Sequence, residues 1–217
     1  MTVLISIEGN IGSGKSTLIN KLKEKYKELD ENKILFLKEP VDEWIDIKDK
    51  NGKNMIECFY GDQEKYSFSF QMMAYISRLS LLKNALKKNP DVIITERTLF
   101  TDRYVFAKLL RDNNKISIEN YTIYIKWFDE FIDMLPEVHF IYLRTEPSIA
   151  KKRVLNRNRV GEESLTVDYL TDCHICHENW LNKQKNLTVI DACSEWDVKM
   201  PDIFNLGDNK NSKNIYL

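Results

Sequence analysis

In the run Gly9-Asn10-Ile11-Gly12-Ser13-Gly14-Lys15-Ser16-Thr17 the first eight residues have the spacing G-x-x-x-x-G-K-[ST]. That pattern wraps backbone amides around a polyphosphate. Three of the chain's seven glycines fall within six residues here, as expected where a backbone must come very close to a ligand. In such a loop Lys15 reaches the β- and γ-phosphates and the Ser16 hydroxyl reaches Mg²⁺. The expected ligand is therefore ATP or another nucleoside triphosphate, although the loop does not say what is done with it.

The residues that could answer that question are acidic and basic pairs at predicted strand ends. Glu39-Pro40 follows one apolar run, with Trp44 close behind, and Glu96-Arg97 follows another. A carboxylate such as Glu96 at a strand end can bind Mg²⁺, and the adjacent Arg97 can neutralise phosphate. The guanine-reading Asn-Lys-x-Asp segment of a GTPase switch is absent. Together with the loop, these pairs describe a kinase site. The chain has 24 lysines and only 8 arginines, and three of those arginines (Arg153, Arg157, Arg159) lie within seven residues. Their planar forks suit a charge clamp on phosphates better than a solvated helix end.

The elements that must hold these groups are legible as short β-branched runs alternating with helical periods. Val3–Ile7, 34–37, 92–95, 138–143 and 187–190 read as five buried strands. Helices are expected over about 15–29, 63–88 and 118–135. The alternation predicts an α/β domain: a mainly parallel five-stranded sheet with helices on both faces, and ligands at the strands' carboxyl ends. Along 63–88, Tyr75, Leu79, Leu82 and Leu86 mark one face, while Gln71, Ala74 and Arg78 share another beside Phe70. A Gln and an Arg on so apolar a helix either find partners or reach solvent, and periodicity leaves both open. The stripe at 118–135 suits either a core helix or one that also faces a second copy of the chain.

A length of 217 residues is most simply one domain, here 1–196, followed by an Asn/Lys-rich polar tail over 197–217. The net charge of -1 offers no global field for nucleic acid or an anionic membrane. No apolar run is long enough to cross a bilayer, no export signal opens the chain, and the four cysteines read as reduced thiols. A cytoplasmic enzyme acting on small molecules is expected. Cys173-His174-Ile175-Cys176-His177 satisfies C-x-x-C-H, but it continues a helical pattern to Trp180 and Leu181, which argues against haem or structural zinc.

The segments 7–17, 39–44, 59–78, 96–106, 141–159, 168–181 and 189–196 together resemble the deoxynucleoside kinases of the deoxycytidine/deoxyguanosine kinase type, nearly end to end. The resemblance implies a P-loop kinase fold with an Arg-rich lid over about 153–163, and transfer of the γ-phosphate to a nucleoside 5′-hydroxyl in nucleotide salvage. It implies that Glu39 is the general base and that Arg97 steadies the hydroxyl and the phosphates. It further implies that Tyr60 and Glu162 hold the 3′-hydroxyl, that Gln71 pairs with the base edge, and that Phe70, Phe106 and Trp44 wall the base. Arg78 and Asp102 match the pair that accompanies deoxycytidine and purine deoxynucleosides rather than thymidine. The alternative for that pair is a structural ion pair. Arg153, Arg157 and Arg159 match the lid, and Glu195 and Trp196 match the loop along the donor base. Trp196 and Val160-Gly161 depart from the family pattern. Relatives of this type are homodimers. The competing readings are a nucleoside monophosphate kinase, whose charged acceptor Glu39 would repel, and a nucleotide-binding module without transfer chemistry.

Overall fold

The computed structural model describes residues 2–30, 32–159, 162 and 164–193. The expectations for Val160-Gly161, Glu195, Trp196 and the tail lie outside these residues. Five strands, β1 (Val3–Gly9), β2 (Ile34–Leu37), β3 (Val92–Glu96), β4 (Val138–Arg144) and β5 (Leu187–Asp191), form one sheet in the order β2-β3-β1-β4-β5. Every neighbouring pair is parallel, as in Ile5↔Ile94 and Ile5↔His139. Parallel strands need crossovers, and buried strands need apolar side chains on both faces. Successive residues of β1 meet both demands: Leu4 packs with Tyr75, Leu82 and Phe140 on one face, while Ile5 and Ile7 pack with Leu18, Ile19 and Leu22 on the other.

The crossovers are helical. They comprise α1 (Lys15–Lys25), α2 (Val41–Asp46), α3 (Met55–Gly61), α4 (Gln63–Lys87), α5 (Leu99–Thr101), a π-helical segment (Asp102–Ala107), α6 (Lys108–Asp112), α7 (Ile118–Ile132), α8 (Pro147–Arg157) and α9 (Val167–Leu181). Side-chain caps fix several starts. Asn54 and Glu57 form a capping box on α3, and Asp62, Ser117 and Thr166 accept from the first turns of α4, α7 and α9. Two helices end earlier than expected from sequence. The α1 helix stops at Lys25, where Tyr26 leaves helical geometry, and α7 stops at Ile132, three residues before a turn into Pro136 that α geometry does not tolerate.

The chain leaves β1 toward one side of the sheet and returns on the other as β4, so β1 is the switch point with β3 and β4 beside it. The carboxyl ends of β1, β2 and β3 run into Gly9, Glu39 and Glu96. At the opposite edge the surface is polar: Lys33 ion-pairs with Asp91, both 59% exposed, and Asn186 donates to Glu137. On α7, Tyr124 and Phe128 enter the core while Ile118, Ile123 and Trp127 stay exposed. Among the described residues no helix is long and apolar enough to cross a membrane.

Candidate active site

The glycines of the loop after β1 are there for space as well as conformation. At Gly9 (φ 144°) a Cβ would stand 2.6 Å from Ser13 Oγ and 2.7 Å from the Leu143 carbonyl, and at Gly12 (φ 81°) 2.5 Å from the Ala150 carbonyl. Gly14, also at positive φ, is the N-cap of α1, whose first turn carries no acidic side chain. The helix N-terminus is thus left open to an anion. Asn10 pins the loop to α9 by donating to the Leu170 carbonyl at 2.7 Å, and its own Oδ1 accepts from Ile11 N. Lys15 is almost fully buried, with Nζ donating to the Gly9 and Asn10 carbonyls. Burial, then Arg97 and Arg157, pull its ammonium down to about 7 against the opposing pull of Glu96 and Glu39. An incoming triphosphate would relieve that strain.

β3 delivers the next two groups. Ser16 Oγ lies 3.0 Å from both carboxylate oxygens of Glu96. One hydroxyl and one carboxylate beside a phosphate loop are the hard-oxygen donors Mg²⁺ accepts, with phosphates and water completing the shell. Among the described residues no group of three His, Cys, Asp or Glu is placed to hold a metal alone. Arg97, directly after β3, stands outside helical geometry at φ 64°. A non-glycine residue in that region costs roughly 1–2 kcal/mol. Three bonds hold it there: its N–H donates to the Ile7 carbonyl, Thr95 Oγ1 donates to its carbonyl, and its Nη2 donates to the Gly9 carbonyl. Thr98 then caps α5.

The twist at Arg97 sends its guanidinium to Glu39. Glu39 Oε1 accepts from Arg97 Nη1 at 2.9 Å and from Arg78 Nη2 at 2.8 Å. Burial alone would raise this carboxyl, but Arg97, Arg78 and Lys15 outweigh it and hold it at about 2. Arg78 and Gln71, whose fate periodicity left open, are both buried on α4. Arg78 finds its partners in Glu39 and, at 3.5 Å, in Asp102. Burial raises Asp102 to about 6 despite Arg78. Gln71 Oε1 and Arg78 Nε are buried without a hydrogen-bond partner, and Arg78 Nη1 and Asp102 Oδ2 meet only as the 3.5 Å ion pair. In native folds such buried atoms are completed by water, an ion or a ligand.

These groups line one shared cleft, where polar and aromatic side chains converge. It gathers Ile11, Gly12, Lys15, Glu39, Trp44, Tyr60, Phe70, Gln71, Arg78, Glu96, Arg97, Asp102, Phe106, Arg157, Arg159 and Glu162 from seven separated segments. Trp44 meets Phe70 edge-on at 5.6 Å and donates its indole N–H to Ser77. The Arg97 guanidinium covers the Phe106 ring at 4.9 Å. Glu162 accepts from Arg157 at 2.5 Å and from Arg159 at 3.3 Å, and burial together with Glu162 keeps the Tyr60 phenol protonated. Arg153 is not among the lining residues, although its Nη1 is buried without a partner.

Ala74 lines the cleft on the face it shares with Gln71 and Arg78, whereas three further lining residues, Ile56, Phe59 and Tyr169, carried no sequence signal of their own, since apolar and aromatic side chains at helical spacing read as core. Phe59 stacks on Phe70 at 4.4 Å and so backs that wall. The C-x-x-C-H segment lies within α9, as its periodicity indicated. Cys173 is fully buried, and His177, pulled down to about 3 by burial, bonds through Nδ1 to the Cys173 carbonyl.

Comparison with known proteins agrees with this geometry. Residues 5–212 match the family model described as "Deoxynucleoside kinase". The chain is 39% identical over 182 residues to a protein of Fowlpox virus (strain NVSL) named "Probable deoxycytidine kinase", covering 82% of this chain and 72% of that one. It is 32% identical over 220 residues to the deoxycytidine kinases of Mus musculus and of Homo sapiens, covering 92% of this chain and 83% of each. With a parallel P-loop sheet, a cleft that joins a phosphate loop to a buried carboxylate, and a match over nearly its whole length, the chain belongs to the deoxynucleoside kinase family and is an enzyme of that kind.

Proposed function

We propose that this enzyme transfers the γ-phosphate of ATP or another nucleoside triphosphate to the 5′-hydroxyl of a deoxynucleoside, favouring deoxycytidine or a purine deoxynucleoside over thymidine, in nucleotide salvage. The observation that carries the reading is Glu39. A carboxylate held by two arginines in the same cleft as Lys15 suits an uncharged alcohol, whereas it would repel the phosphate of a nucleoside monophosphate. In the reaction the acceptor oxygen bonds to the γ-phosphorus as the bond from phosphorus to the leaving β-phosphate oxygen breaks, and Glu39 takes the hydroxyl proton. At about 2, Glu39 is a weak base. Its main work is to orient the alcohol, with the proton moving late, as a loose transition state permits. Lys15, Arg97 and the lid arginines Arg157 and Arg159 meet the charge on the transferring group, while Arg153, the third lid arginine, stands outside the cleft. Ser16 and Glu96 are the residues that would hold Mg²⁺, which would supply charge neutralisation to the bound triphosphate.

Base choice follows from the buried polar groups on α4 and the π-helical segment. Gln71, Arg78 and Asp102 offer donors and acceptors to a base edge, between walls formed by Phe70, Trp44 and Phe106. The Arg78–Asp102 pair also crowds the place of a 5-methyl group. Tyr60 and Glu162 are the partners for the 3′-hydroxyl. The exposed Ile123 and Trp127, one turn apart on α7, support a homodimer through that face, and residues 1–196 are taken as one catalytic domain. Incubating the protein with Mg²⁺-ATP and a panel of nucleosides and nucleotides tests the reading. Monophosphate formed from deoxycytidine or a purine deoxynucleoside is expected, and conversion of monophosphates alone would overturn it.

A further inference from the structure

Glu8 is completely buried at the end of β1, one residue before the phosphate loop, and no step above uses it. Its neighbours are hydroxyls. Ser6 Oγ donates to Oε1 at 2.5 Å and Thr101 Oγ1 donates to Oε2 at 2.6 Å, and all three side chains have no exposed surface. Bonds this short are typical of a hydroxyl on an ionised carboxylate. Burial raises the Glu8 carboxyl, while the two hydroxyls, and then Arg97 and Lys15 through space, oppose that rise. A core position that needed only to be filled would not hold such a group.

Thr101 gives the arrangement its meaning. Its hydroxyl donates to Glu8 and accepts from Thr98 N, closing the capping box of α5. The next residue is Asp102, where the helix widens into the π-helical segment that also carries Phe106. Single π-turns inside helices are locally unfavourable and recur at functional sites. A single carboxylate therefore ties the residue before the phosphate loop to the residue before the base-facing Asp102, across 93 positions of sequence.

We infer that Glu8 is a positioning residue for base recognition: through Thr101 it fixes the π-helical segment against the phosphate loop, and so sets where Asp102 and Phe106 stand in the cleft. This rests on the reading of the cleft as a nucleoside site. A glutamine at position 8 keeps the shape and loses the charge. A valine at position 101 keeps the shape and loses the donor, whereas serine keeps the donor.

The test compares Glu8→Gln, Thr101→Val and Thr101→Ser with the parent. KM and kcat are measured for deoxycytidine and thymidine, and amide hydrogen exchange is followed over residues 99–107. For Glu8→Gln and Thr101→Val, the deoxycytidine KM is expected to rise about tenfold, less than the roughly hundredfold that a full ångström of misplacement can cost, with a smaller fall in kcat and a narrowed preference over thymidine. Exchange over 102–107 should quicken, and Thr101→Ser should behave as the parent. If Thr101→Val lowers kcat equally for both nucleosides, leaving the KM ratio and the exchange as in the parent, the inference is overturned. Should Glu8→Gln not fold, the Thr101 pair decides alone. A parent that phosphorylates no nucleoside would defeat the functional reading separately, and the exchange measurement would still judge this one.

Discussion

Replacing Glu39 with glutamine removes one negative charge from between two buried guanidinium groups and should cost the enzyme both rate and stability. The amide oxygen can still accept from Arg78 and Arg97, so what is lost is mainly electrostatic. The carboxyl's fall from an ordinary 4.5 to about 2 measures how strongly the folded site favours the charge. At 1.36 kcal/mol per tenfold this is on the order of 3 kcal/mol, within the range for breaking a buried ion pair. For a domain of this size that corresponds to a fall in Tm of roughly 6–12 °C near neutral pH. Turnover should fall by roughly 10²–10⁴-fold, while nucleoside binding is largely kept. The pH dependence carries a sign. A depressed carboxyl contributes its full stability above 4.5 and loses it as pH falls through about 2, so the gap in Tm between parent and variant should close over that window. Thermal melts at several pH values and steady-state rates with deoxycytidine decide the matter. A variant with parental Tm at neutral pH would refute the electrostatic argument, and one retaining more than about a tenth of kcat would refute the catalytic one.

Lys15, held at about 7 in the empty site, should take up a proton when a triphosphate binds at about pH 8. Calorimetry in buffers of different ionisation enthalpy should show this for the parent and not for Lys15→Met, and buffer-independent heats would contradict it. Asp102, raised to about 6, stabilises the fold below 3.8 relative to higher pH, and that contribution is lost as pH rises through about 6. The same proton removes the acceptor expected to face the amino group of cytosine. The kcat/KM for deoxycytidine should therefore drop from about pH 7 to about pH 5 in the parent and stay flat in Asp102→Asn. Gly9→Ala should abolish triphosphate binding and lower stability by about 2 kcal/mol or more, because a methyl at φ 144° meets Ser13 Oγ and the Leu143 carbonyl. Retained nucleotide affinity would mean that the loop yields more readily than its packing suggests.

Much of this was legible from local pattern. The five strands announce themselves because buried parallel strands must be apolar on both faces, and the loop because close approach to phosphate demands glycine. What was not legible depends on distant partners or on geometry that leaves no compositional mark. The burial of Arg78 is decided by Glu39 and Asp102, which no helical period can register. Arg97 takes a positive φ without being glycine, held by Thr95 and the Ile7 carbonyl, so nothing in its own identity flags the turn. The π-helical segment 102–107 lacks glycine or proline and reads as ordinary helix. Tyr169 and Phe59 look like core until the cleft is seen. The roles drawn from the family resemblance supplied the rest, and the fold brings all of them that fall on described residues to the strands' carboxyl edge except Arg153, which stays out of the cleft.

A parallel sheet has two unlike ends, and here the chemistry occupies one of them. The other, where Lys33 meets Asp91 and Glu137 meets Asn186, is exposed and separated from the phosphate loop by the length of β1, about 20 Å at the usual rise per residue. A fluorescent dye or a surface tether attached through a cysteine at Lys33 or Asn186 would leave the cleft facing open solution. The enzyme can be immobilised or labelled from behind, and its turnover followed without obstructing the entry of either substrate.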